Sequence, residues 1–196
     1  MSFKEYNFIQ VFLLLLVTRI GEYRHSVYKK YVNSLGLKGN EKVLDFGSGS
    51  GAAAENIAEH LLKGTGKLTC VDMSRVWMKI IKKRMRKYHN VEFKLGDITE
   101  IDIEDGSYDV VVVHLVLHDI EENMRQKIVD TLSRALKKTG ELYIKEPMWK
   151  RHGMPAEEIR QLMIQSGLKE IDFVISKSRA MGGPPGLKYS GIFGKA

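Results

Sequence analysis

At 196 residues, with 43% hydrophobic and 28% charged side chains, the chain can bury a full hydrophobic core and is too balanced for a disordered or fibrous protein. A formal charge of +7 points toward anionic partners. The single Cys70 rules out a disulfide scaffold, fits a reducing, cytoplasmic compartment and, inside an apolar run, makes a poor nucleophile.

In chain order, residues 3–20 contain the apolar run 11–17. It is too short to span a bilayer, which takes about 20 apolar residues, and no small-residue cleavage site follows it. It reads as a helix that packs on or covers the rest of the domain. The alternative, peripheral contact with a membrane surface, stays open. A second helix runs to about residue 35 and carries Tyr23, Arg24, His25 and Tyr28. Residues 1–35 are thus expected to cap a core of residues 36–196, the whole forming one domain.

Residues 42–46 make the first strand, followed by glycines at 47, 49 and 51 and a helix over 53–62 that stops at Lys63-Gly64-Thr65-Gly66. A second strand covers 67–72. Ser74 is placed to cap a helix over 75–88, whose cations interleave with Trp77, Ile80, Ile81 and Met85; this is the pattern of an amphipathic helix with a basic, solvated outer face. A third strand covers 91–95. A turn at 104–107 leads into a fourth, 108–113, which is nearly continuous valine, as in a central strand buried on both faces. A helix over 121–138 ends before Gly140, and a fifth strand covers 141–145. After a loop through 154 come a helix over 155–167 and two strands, 168–176 and 187–193, close enough in sequence to pair antiparallel.

The informative stretch is Val43 to Ala54. Glycines let a backbone bend sharply and approach a ligand, and the following helix offers unpaired N–H groups. Asp72 ends the second strand about twenty residues on, where a carboxylate can bind a ribose. A dinucleotide-binding dehydrogenase would use Gly47-x-Gly49-x-x-Ala52 with Asp72. Asp45 argues otherwise. Two residues before the first glycine, it would repel a pyrophosphate, but it suits a ligand carrying a sulfonium and an ammonium group. Asp97 completes a set of three acids, each near the end of a strand.

These features resemble the class I S-adenosylmethionine-dependent methyltransferases. The residues that carry the resemblance are Asp45-x-Gly47-x-Gly49-x-Gly51, Asp72, Gly96-Asp97, the run Tyr108 to His114, and Leu136-Lys137-Lys138-Thr139-Gly140-Glu141-Leu142, in order over residues 41–146. They are specific for the family and only weakly so for a substrate, the nearest flavour being the small-molecule branch with ubiquinone- and menaquinone-type enzymes. The resemblance implies a doubly wound, mostly parallel α/β sheet of seven strands, Rossmann-like, with helices on both faces and an antiparallel C-terminal edge hairpin. It implies S-adenosylmethionine as cofactor. Asp45, Phe46, Gly47, Ser48, Gly49 and Gly51 would surround its methionine part, Asp72 the ribose, Met73 the adenine ring, and Asp97 with Ile98 the adenine amine. Tyr23, Arg24, His25 and Tyr28 become lid candidates, since helices at that position often close over the cofactor in the family. Each also reads as an ordinary packing residue.

Methyl transfer is a direct displacement, so the protein must align the groups, exclude water and take up a proton where the nucleophile carries one. His114 and His118 follow the fourth strand and are the candidate bases, with cofactor lining and core hydrogen bonding as their plainer roles. Trp149 and His152 are candidates for the acceptor wall. Asp119 lacks companion oxygen ligands at matching spacing, so no metal is expected. The chain also lacks the Asn/Asp-Pro-Pro-aromatic motif of amine-methylating nucleic-acid enzymes, which argues against a nucleic-acid substrate. The expected activity is methylation of a small molecule with a quinone-, phenol- or amine-like, or amphipathic, acceptor. A nicotinamide-dependent oxidoreductase and a non-catalytic methyltransferase-like partner subunit are the alternatives.

Overall fold

The computed structural model describes residues 21–148, 153–179 and 185–196, with the backbone alone for residues 21–26, 178, 179 and 185. The expected helix over 3–20 lies outside the described residues. In order come α1 (Gly21–Asn33), β1 (Lys42–Phe46), α2 (Ala52–Leu61), β2 (Lys67–Asp72), α3 (Arg75–Arg84), β3 (Val91–Leu95), β4 (Tyr108–His114), a 3-10 turn (Leu117–Asp119), α4 (Glu122–Ala135), β5 (Leu136–Pro147), α5 (Ala156–Gln165), β6 (Leu168–Arg179) and β7 (Pro185–Lys195). The strands form one sheet in the order β3-β2-β1-β4-β5-β7-β6. The first five are parallel, and β7 runs antiparallel to both β5 and β6. This is the seven-stranded, mostly parallel sheet that the sequence implies.

The strand order reverses between β1 and β4, where a doubly wound sheet opens a crevice at the carboxyl ends of its strands. Alternation along the strands sorts side chains to the two faces. Leu44, Val111, Val113, Leu142 and Ile144 pack with Ile128, Leu132 and Ile159 of α4 and α5. Val43, Cys70, Val110 and Val112 pack with Val32 of α1, Ile57 and Leu61 of α2, and Met78 and Ile81 of α3. By the same alternation Asp45, His114 and Lys145 share the face covered by α1, and Glu146 belongs to the face covered by α4.

Several boundaries differ from the sequence reading. The helix expected over 75–88 stops at Arg84, because Met85 leaves helical geometry while its N–H still bonds Ile81 O at 2.9 Å. The helix expected to 138 ends at Ala135, since Leu136 is taken into the core (1% exposed) and pairs in the sheet with Tyr108. The terminal strands run longer than expected because β7 is inserted between β5 and β6 and gains partners on both sides.

Candidate active site

β1 delivers its chain to the crevice through a turn with Gly47, Gly49 and Gly51 at φ +70°, +50° and +78°. Gly47 N–H and Ser48 N–H donate to Val71 O at 2.8 and 3.1 Å, which ties the turn to β2. Two of the glycines are dictated by packing. A Cβ on Gly47 would meet Val116 Cγ2 at 2.2 Å, and one on Gly51 would meet Ile81 Cγ1 at 2.6 Å. Gly49 differs: its missing Cβ points to open space, with nothing nearer than Gly47 O at 3.9 Å, so a ligand can come up against the backbone there.

Asp45 lies beneath this turn, 2% exposed, and its Oδ2 is buried with no hydrogen-bond partner. A buried ionised carboxylate without a partner is costly. Burial accordingly pushes its pKa from 3.8 to about 7; Ser48 opposes the shift and the Asp72 charge adds to it. Asp72, at the end of β2, accepts the Gly49 N–H on Oδ2 and the Ser74 N–H on Oδ1, both at 2.8 Å. Burial raises its pKa against those two bonds. Asp97 follows β3, where Oδ1 accepts the Thr99 N–H at 2.9 Å. Its Oδ2 and Thr99 Oγ1 are buried without partners. Unsatisfied buried oxygens are thus present at Asp45, at the end of β1, and at Asp97, just after β3.

On the α1-covered face, the His114 ring sits 4.3 Å from Tyr31 and 5.5 Å from Tyr28, centroid to centroid. Burial, then the Lys145 and Lys188 charges, lower its pKa to about 3, so it is neutral in water near pH 7. The Tyr31 hydroxyl is also buried without a partner, and burial followed by Asp45 and Glu146 holds its proton on. The next residue, Leu115, has φ +61°, a left-handed conformation uncommon outside glycine, and its N–H donates to Lys145 O at 2.8 Å.

On the other face, Glu146 is fully buried at the end of β5. Its Oε1 accepts the Val116 and Leu117 N–H groups at 2.9 and 2.8 Å, and its Oε2 lies 2.6 Å from His118 Nδ1. The carboxylate therefore fixes the loop after β4 and accepts the Nδ1–H of His118, whose Nε2 lies 3.5 Å from Asp119 Oδ2. Burial alone would lower the His118 pKa; the Glu146 bond and charge outweigh it and raise it.

Phe46 and Ile98 are buried in the core beside the turn (8% and 2% exposed), and Met73 is half-buried between β2 and α3. Tyr28 and His114 come together, while His118 serves a separate cluster with Glu146. Tyr23 and His25 fall on α1, but their side chains lie outside the described residues, as do Trp149 and His152. Among the described residues no group of three His, Cys, Asp or Glu could hold a metal ion, and no helix is long and apolar enough to cross a membrane. Glu146, Tyr31 and Lys145 were not singled out from the sequence. Glu146 carried the same signal as Asp45 and Asp72, an acid at the end of a buried strand, and Tyr31 follows Tyr28 at a spacing that shares one helical face.

The family model described as a methyltransferase domain matches residues 43–140. A protein-L-isoaspartate O-methyltransferase of Dictyoglomus thermophilum is 37% identical over 99 residues, covering 50% of this chain and 43% of that protein. A demethylmenaquinone methyltransferase of Paenarthrobacter aurescens is 28% identical over 125 residues, covering 61% of this chain and 46% of that protein. The chain thus spans about half the length of these curated relatives. Among solved structures, the N-methyltransferase NodS of Bradyrhizobium japonicum in complex with S-adenosyl-L-homocysteine superposes with a TM-score of 0.70 at 18% identity, covering 88% of this chain and 86% of that one. That likeness concerns the fold.

Proposed function

The chain belongs to the methyltransferase domain family, and from that premise we propose that it binds S-adenosylmethionine over the glycine turn and transfers its methyl group to a small-molecule acceptor. One observation carries the reading: the Asp45 carboxylate oxygen is buried without a partner at the end of β1, two residues before a turn whose Gly49 is open to a ligand. A cation there satisfies the carboxylate, whereas a dinucleotide pyrophosphate would add a second anion. The groups left over fit this donor. Gly49 admits a close ligand, Asp72 keeps free lone pairs for a ribose, and Asp97 Oδ2 and Thr99 Oγ1 await polar edges such as those of an adenine.

When bound, S-adenosylmethionine supplies an electrophilic methyl on a positively charged sulfur. The protein's part is to bind, orient and exclude water. Tyr28, Tyr31 and neutral His114 wall the crevice beside the turn. His114 in its neutral form donates or accepts a hydrogen bond but is a weak base. His118 is the better proton acceptor, through Nε2, because Glu146 orients its ring and stabilises the charged form. The acceptor class we favour is a quinone-, phenol- or amine-like small molecule. The single buried thiol, Cys70, supports placing the activity in the cytoplasm.

Calorimetry with S-adenosylmethionine, S-adenosylhomocysteine, NAD and NADP tests this. Binding of the first two and not of the nicotinamides is expected. Binding of NAD alone would sink the assignment, and donor binding without methyl transfer to any fraction of a cell extract would favour a partner subunit.

A further inference from the structure

Two cations stand beside His114 on the α1-covered face of the sheet with no described counter-ion. Lys145 is the in-register neighbour of His114 across β4 and β5. Lys188 opposes Pro147 across β5 and β7, two residues beyond Lys145, and so projects from the same face as Lys145 and His114. Both side chains are half-buried. The Lys145 ammonium lies 5.2 Å from the Tyr31 ring centroid, and no described carboxylate lies within 4.0 Å of either lysine. The nearest carboxylate in that strand, Glu146, is on the opposite face and is spent on Val116, Leu117 and His118.

Charged groups taken partly out of water are ordinarily paired. Here two like charges are placed side by side, next to an aromatic wall, at the ends of three adjacent strands. Both pay in the same way: burial, and for Lys145 also the Lys188 charge, lower their pKa values. A packing role does not explain this, since neutral residues would fill the positions without repulsion.

We propose that Lys145 and Lys188 form an anion-binding subsite, so that the acceptor is a small molecule bearing a carboxylate or phosphate on a planar body that lies against Tyr28, Tyr31 and His114. The proposal rests on the methyltransferase reading of the crevice and narrows its substrate class. An anion between the two ammonium groups removes their mutual repulsion and forms charge-assisted hydrogen bonds, while the rings take the apolar body.

The test is titration of benzoate, its neutral amide benzamide, and phenyl phosphate into the full chain, with and without saturating S-adenosylhomocysteine. At least one of the two anions should bind tenfold or more tightly than benzamide, and which one does distinguishes carboxylate from phosphate. Lys145→Gln and Lys188→Gln should each reduce that preference at least threefold, and the double substitution should abolish it, with S-adenosylhomocysteine affinity held within twofold. Equal binding of anions and amide overturns the proposal, as does a preference that survives the double substitution. A tenfold loss of S-adenosylhomocysteine affinity in the variants also overturns it, because the lysines would then serve the cofactor's own carboxylate. If the parent chain fails to bind S-adenosylhomocysteine, the methyltransferase reading fails instead, and the titrations on the free protein still decide the subsite.

Discussion

Replacing Asp45 with Asn removes a buried carboxylate one of whose oxygens, Oδ2, has no hydrogen-bond partner in the free protein. The Asp45 pKa rises from 3.8 to about 7 in the fold. At roughly 1.36 kcal/mol per pH unit, that gap corresponds to a ceiling of about 4 kcal/mol of destabilisation once the group is ionised. The sign follows from proton counting. Between the two values the folded state holds a proton that the unfolded state has lost, so the parent's stability falls as pH rises from about 4 to 7 and stays low above it. Asp45→Asn does not titrate, so the two proteins should be similar near pH 4 and diverge by up to about 4 kcal/mol by pH 8. For a chain of this size that is a ceiling of about 8–16 °C in melting temperature. Thermal and urea unfolding at half-unit steps from pH 4.5 to 8.5 measure it. S-adenosylmethionine should narrow the gap by stabilising the parent more than the variant, with a proton released on binding below pH 7. Parallel stability curves for parent and variant across that range would refute the reasoning, because Asp45 would then be satisfied in the free fold.

Three further outcomes follow from individual contacts. Gly47→Ala places a methyl 2.2 Å from Val116 Cγ2 at φ +70°, so left-handed strain and overpacking together should cost about 2–4 kcal/mol in urea unfolding; adding Val116→Ala should recover the packing part and leave the strain. Glu146→Gln should lower the His118 pKa, moving the acid limb of a kcat/KM profile to lower pH. Its stability cost should be larger at pH 6, below the ordinary histidine value, and should fall as pH rises through the raised His118 pKa, where the pair's contribution is lost; a pH-independent cost would remove His118 from the account. Tyr31→Phe deletes a buried hydroxyl that has no partner, so unfolding in the free protein should be unchanged or about 1 kcal/mol harder, whereas affinity for ligand in the crevice should fall if the hydroxyl faces it; a destabilised variant would mean that the hydroxyl is already paired.

The sequence alone determined the class of fold and the turn at its centre. Strand and helix patterns are local, set by side-chain alternation and by a valine run that only a doubly covered strand tolerates, and the glycines of 47–51 announce a backbone that most residues cannot adopt. The positions of Asp45 and Asp72, at the ends of β1 and β2 beside that turn, were likewise readable because they depend on distance along one chain. What the tertiary structure decided depends on which strands become neighbours. Glu146 and His118 are 28 residues apart and meet only because β5 lies beside β4. Lys145 and Lys188 share a face only because β7 inserts next to β5 rather than at the sheet edge. The roles of the two histidines diverged for the same reason. Four residues apart, one at the end of β4 and the other in the 3-10 turn after it, they sit on opposite faces, where burial and nearby lysines keep one neutral and a buried carboxylate favours charge on the other.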